Sequence, residues 1–190
     1  MRMGRTALVA MLLAGGLATA CSDNDDGSFE PTGSVDSPSD GNSTADDTVV
    51  RVDTGEWGND VMVPTLVEYL EARQTSLRER RITPEMVETA TFQWIQQQRA
   101  VIANAKERDW TIPAQARVRV VGVESDVPDA VVHVCMWGPS VDFVDAKTGK
   151  PVEPEVRQWY PFDVKMVMVD DRWYVAAAAE GEFGCEVEEG

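Results

Sequence analysis

The sequence predicts an α+β domain: helices first, then a curved antiparallel sheet that packs around them. Three observations carry this. Apolar residues recur at helical spacing from Thr83 to about Arg108. After Pro113 the period switches to alternation. An acidic, Ser/Gly/Thr-rich stretch ends near Val49, so residues 49–190 form one domain. Helical runs followed by strand runs are the signature of α+β packing.

The chain opens on a leader. Arg2 and Arg5 precede an apolar run from Ala7 to Leu17, and the small residues Ala18, Thr19 and Ala20 follow. An apolar core of about 11 residues is too short for a helix spanning a bilayer, which needs ~20. Residues 1–20 are therefore expected to be a signal peptide. Cys21 follows directly, and Leu17-Ala18-Thr19-Ala20-Cys21 resembles a bacterial lipobox, with Ala18 where Leu is usual. The resemblance implies a lipid on the Cys21 thiol, a mature N-terminus there, and a protein tethered to the extracytoplasmic face of a membrane. Ordinary signal cleavage and secretion is the alternative. Two or three acyl chains hold firmly, at about 0.8 kcal/mol per buried methylene.

Residues 21–48 are expected to be a disordered tether. Asp23, Asp25, Asp26, Glu30, Asp36, Asp40, Asp46 and Asp47 stand among Ser, Gly, Thr and Pro. Such a stretch cannot bury enough apolar surface to offset its ordering entropy. A coil of this length spans roughly 30 Å, enough to lift a domain off a membrane. Asp23 to Gly27 lacks the Gly and Glu spacing of a calcium loop. The whole chain carries a formal charge of −16, which disfavours nucleic acid as a partner.

Within the domain, Val49 to Val52 reads as a short strand. Pro64 to about Arg80 reads as a helix with Leu66, Val67, Leu70 and Leu77 near one face and a break or bend at Gln74 to Ser76. The next helix has Thr83 as N-cap and Pro84 at its first position, and runs on to Arg108. Its apolar stripe is Val87, Ala90, Trp94, Val101 and Ala105, widened by Ile95 and Ile102. Strands follow at Arg117–Val123, Ala130–Trp137 and Arg157–Val169. Asp170-Asp171 turns the chain into a last strand at Arg172–Val175. On the long strand Tyr160, Phe162, Val164, Met166 and Met168 should face the helices.

The long helix, the strand meander and the closing run Val167 to Val175 resemble small actinobacterial lipoproteins with a nuclear transport factor 2-like fold. The resemblance covers Val61 to Cys185. It implies a cone of helices in a curved sheet, and sheet-face homodimers occur in that fold. The fold hosts isomerases, dehydratases and hydrolases beside many non-enzymes, so it does not fix a function.

With Cys21 assigned to lipid, Cys135 and Cys185 remain as an even pair in an oxidising compartment, where a disulfide is expected. Two buried free thiols are the alternative. The single histidine, His133, shares a strand face with Cys135 and Trp137. As a general base it would need an orienting carboxylate, for which Asp163 is the candidate. In isomerases of this fold an acid in an apolar cavity works beside a Tyr hydroxyl. Asp142, Asp145 and Asp163, with Tyr160 and Tyr174, supply those residue types without a spacing that ties them together. Trp94, Trp137, Trp159, Tyr160 and His133 are the candidate pocket or partner surface.

The expectation is a non-enzymatic domain that binds an envelope protein or a small apolar ligand. No metal, cofactor or catalytic set is called for. The alternative is a small cone-fold enzyme using His133 or a pocket carboxylate.

Overall fold

The computed structural model describes residues 48–185. The leader, Cys21 and nearly all of the expected tether lie outside the described residues. Strand β1 (Val49–Asp53) leads through a 3-10 turn into helix α1 (Val63–Glu79), then α2 (Pro84–Thr89) and α3 (Phe92–Glu107). The strands β2 (Trp110–Thr111), β3 (Gln115–Asp126), β4 (Asp129–Trp137), β5 (Val144–Asp145), β6 (Trp159–Val169) and β7 (Arg172–Glu180) complete the domain. The class is α+β, as the periodicity indicates. No helix among the described residues is long and apolar enough to cross a membrane.

The main sheet has the order β1-β3-β4-β6-β7 and curls into a half-barrel around the helices. Bulges between Val120 and Gly122 and between Lys165 and Met166 sharpen its curl. The sheet is mixed rather than antiparallel throughout, because β1 pairs with β3 in parallel. Parallel neighbours need a long crossover, and the whole helical segment serves as one. Asp170 and Asp171 both have positive φ, 49° and 61°, as a two-residue hairpin turn between twisted strands requires.

Two helix expectations are corrected. Helix α1 runs unbroken through Gln74 to Ser76, where the Gln74 and Ser76 side chains are buried and bonded. Gln74 Nε2 donates to Pro113 O at 2.8 Å, and Ser76 Oγ donates to Thr83 Oγ1 at 3.1 Å. The second helix does break. Ala90 is extended and bridges to Val175, and Thr91 N–H donates to Val175 O at 2.9 Å. The junction thereby covers part of the edge of β7, which would otherwise expose a row of unpaired peptide groups. Thr83 and Thr91 then cap α2 and α3 separately. Val87, expected on the apolar stripe, lies on α2 and is 50% exposed.

The concave side of the sheet is filled. Val63, Leu66, Tyr69 and Leu70 of α1, with Met86 and Trp94, pack on Val118, Val132, Val134, Val164, Met166 and Val175. Each fully buried aliphatic side chain contributes roughly 1.5–3 kcal/mol relative to exposure. A smaller cluster of Leu77, Ile102 and Ile112 joins the ends of α1 and α3 to β2.

Candidate functional site

Alternation in β3, β4 and β6 sends one residue in two to the helices and the next to the outer face. In β4 the inward set is Ala130, Val132, Val134 and Met136. His133, Cys135 and Trp137 therefore share the outer face, as their spacing indicates.

The register builds three rows across this face. In the first, Arg51 of β1 is level with Arg117 of β3, and Trp137 of β4 is paired with Trp159 of β6. Arg117 lies one step beyond the Val118–Met136 pair, which brings it level with Trp137. The two indoles have centroids 5.6 Å apart. The Arg117 guanidinium carbon sits 5.7 Å from the Trp137 ring and 5.4 Å from the Trp159 ring. At these distances the cation is within reach of the negative π-face of either ring. Beside it runs a groove of about 540 Å³, whose walls include Arg51, Arg117, Arg119 and Trp159.

The second row joins Asp53, Arg119, Cys135 and Pro161. Arg119 Nε donates to Asp53 Oδ2 at 2.8 Å. Cys135 is bridged to Cys185, with Cα atoms 5.8 Å apart, so the expected disulfide is present. The β6–β7 ladder gains one more rung, Gly181 N–H donating to Pro161 O at 2.9 Å, and the chain then turns to the outer face, where Cys185 meets Cys135.

The third row joins Gly122, His133 and Asp163. His133 Nδ1 lies 2.7 Å from Asp163 Oδ1, the partnership the sequence suggested. Its Nε2 faces Glu124 Oε1 at 3.4 Å, and the Phe183 ring meets the imidazole edge-on at 5.2 Å. A Cβ on Gly122 would come within 3.0 Å of His133 Cδ2, so the bare glycine makes room for the ring. Glu124 is 77% exposed, so the Nε2 contact is a solvent-facing one, while the Nδ1 contact to Asp163 is the shorter and less exposed of the two.

The other candidates separate. Trp94 lies in the core: it is 8% exposed, and its Nε1 donates to Tyr69 Oη at 2.6 Å. Burial lifts the Tyr69 hydroxyl above its ordinary pKa, against the opposing pull of Arg73 and the Trp94 bond. Tyr160 lines a small cavity of about 230 Å³ together with Asp142, Trp110, Phe143 and Val152. Burial raises the Asp142 pKa, and the nearby Glu153 and Glu155 raise it further. Asp145 is a turn residue, accepting from Thr148 Oγ1 and from the Thr148 and Lys147 amides. Those bonds to Thr148 lower its pKa.

Sequence reasoning passed over Arg51, Arg117 and Arg119. Their signal is legible afterwards: Arg117-Val118-Arg119 alternates cations with a buried valine, which puts both arginines on the outer face. The register of β1, which brings Arg51 beside them, has no local signature.

No family model matches the chain. No curated protein matches it either. Several solved structures are similar. One is the intermembrane space region of chloroplast protein ARC6, 8% identical, covering 62% of this chain and 91% of that one at a TM-score of 0.42. Another is a SEC-C motif containing protein from Rhodopseudomonas palustris, 15% identical, covering 69% and 97% at a TM-score of 0.38. Neither likeness bears on function.

Proposed function

We propose that this protein is a lipid-anchored extracytoplasmic binding domain, built as a nuclear transport factor 2-like cone and working through the outside of its sheet. The filled concave side carries the reading. Where an enzyme of this fold would keep an acid beside a hydroxyl, this chain packs Leu66, Tyr69 and Trp94. Its one histidine and Asp163 sit on the opposite face. The leader and Cys21 supply the address, and the acidic segment after Cys21 supplies the distance from the membrane.

The anchor is tested by the intact mass of the protein extracted from membranes of the source cell. The expected mass is that of an acylated chain starting at Cys21, lighter by the two hydrogens lost in one disulfide than the fully reduced form. An unacylated chain recovered from the medium would overturn the anchor.

One observation favours a second reading, a small acid–base enzyme: Asp142, with its raised pKa, shares a cavity with Tyr160. That cavity of about 230 Å³ lies below the roughly 300–1,000 Å³ usual for ligand sites, so the binding reading stands first. Activity toward a small carbonyl substrate, lost in Asp142→Asn, would reverse that order.

A further inference from the structure

We infer that the outer-face groove beside Arg117 is an oxyanion site, and that its ligand is an acidic sugar bearing a carboxylate or a phosphate. The inference rests on the reading of the domain as a binding module and names the ligand class for its outer face.

The charge distribution comes first. The whole chain carries −16, yet this groove gathers three arginines and one aspartate. Among the described residues Asp53 pairs with Arg119, while Arg51 and Arg117 form no ion pair. Two uncompensated cations side by side in so acidic a protein repel one another, and an anion between them removes that cost. Arg51 and Arg117 stand on adjacent strands in register, so one oxyanion can bridge them.

The geometry of Arg117 is the second observation. Its guanidinium lies within cation–π reach of both Trp137 and Trp159, contacts that restrict the side chain before any ligand arrives. A guanidinium carries its N–H donors in a planar fork, the arrangement that carboxylate and phosphate accept in bidentate fashion. Ordering that has already occurred does not have to be spent again on binding.

Size and the remaining wall select the ligand. A groove of about 540 Å³ falls within the volume range of small-ligand sites. Trp159 forms an apolar wall next to the arginines. An indole beside charged donors suits a molecule with an apolar face and an anionic edge, as a pyranose acid or sugar phosphate has. An acidic peptide shares the charge but has no ring to lay against the indole.

The test is calorimetric titration of the full chain with trigalacturonate and with glucose 6-phosphate, against neutral maltotriose and an Asp/Glu hexapeptide. At least one acidic sugar is expected to bind at least tenfold tighter than maltotriose and than the peptide. The two acidic arms show whether carboxylate or phosphate is preferred. Arg117→Ala should weaken that binding tenfold or more, with Arg117→Lys restoring only part, since an ammonium keeps charge and loses the fork. Trp159→Ala should weaken it while leaving its salt dependence unchanged. An unchanged melting temperature in Arg51→Ala, whose side chain forms no ion pair among the described residues, keeps the test independent of folding. If neither acidic sugar binds better than maltotriose, or Arg117→Ala and Arg51→Ala leave binding intact, the inference is overturned. If the peptide binds tighter and loses affinity in the same variants, the ligand class is wrong and the binding-module reading survives.

Discussion

Removing the Cys135–Cys185 bridge should cost the domain a large share of its stability, and the size of the loss can be worked from the topology. The cysteines are 50 residues apart. Closing a loop of that length removes about 4 kcal/mol of entropy from the unfolded chain in the chain-entropy model, and measured losses run at roughly 2–4 kcal/mol. Native contacts go with it. The bridge holds residues 181–185 over the outer face, where Phe183 packs on His133 and covers the totally buried Cys135 side of β4. For a domain of this size each kcal/mol moves the melting temperature by about 3–5 °C, so a fall on the order of 10 °C is expected. The assay is thermal unfolding followed by circular dichroism, for the parent with and without reductant and for the Cys135→Ala/Cys185→Ala double variant. Reduced parent and double variant should agree within a few degrees. The ring proton signals of His133 should shift in both, because Phe183 leaves with the C-terminal segment. A melting temperature that moves by less than about 2 °C would refute the reasoning, since it would mean that the bridge constrains nothing in the unfolded chain.

Three further outcomes follow from buried contacts and charges. Tyr69→Phe leaves the Trp94 indole N–H without its acceptor in a core where both rings are buried, and should cost about 1–3 kcal/mol in denaturant unfolding. Gly138→Ala would set a Cβ 2.5 Å from Val156 O and 2.7 Å from Tyr160 Cε2, so backbone must shift; a loss of about 1–3 kcal/mol and broadened Tyr160 signals are expected. Asp142 holds its proton to higher pH when folded than the ordinary 3.8. Folding stability contributed by this group therefore falls as pH rises from there through the folded pKa, and stays lower above it. Asp142→Asn should melt higher than the parent at pH 7, with the difference vanishing near pH 3.

Much of the fold was legible because local chemistry agreed with tertiary need. Thr83-Pro84 marks a helix start, Asp170-Asp171 marks a hairpin, and alternation along β4 and β6 gives the correct faces. The misses have tertiary causes. The helix break at Ala90 exists because β7 has an edge to cover, and nothing within Thr89 to Phe92 states that. The continuity of α1 through Gln74 and Ser76 depends on Pro113 and Thr83, partners distant in sequence or beyond the helix. The parallel pairing of β1 brings Arg51 to Arg117 across the whole helical segment. For the site, His133 with Asp163 and Cys135 with Cys185 could be paired from residue type and strand phase. The arginine groove could not, since register decides it.

If the outer-face reading holds, ligand meets the outside of the sheet and not its concave side. The six tryptophans report on both. Trp137 and Trp159 stand on the outer face, while Trp94 and Trp173 are buried at 8% and 4% exposure. The direct measurement is the indole N–H spectrum of the full chain titrated with trigalacturonate or glucose 6-phosphate, whichever binds tighter. The account predicts that the Trp137 and Trp159 signals move with saturation while those of Trp94 and Trp173 stay in place. Movement of Trp94 and Trp173 with Trp137 and Trp159 unchanged would contradict it.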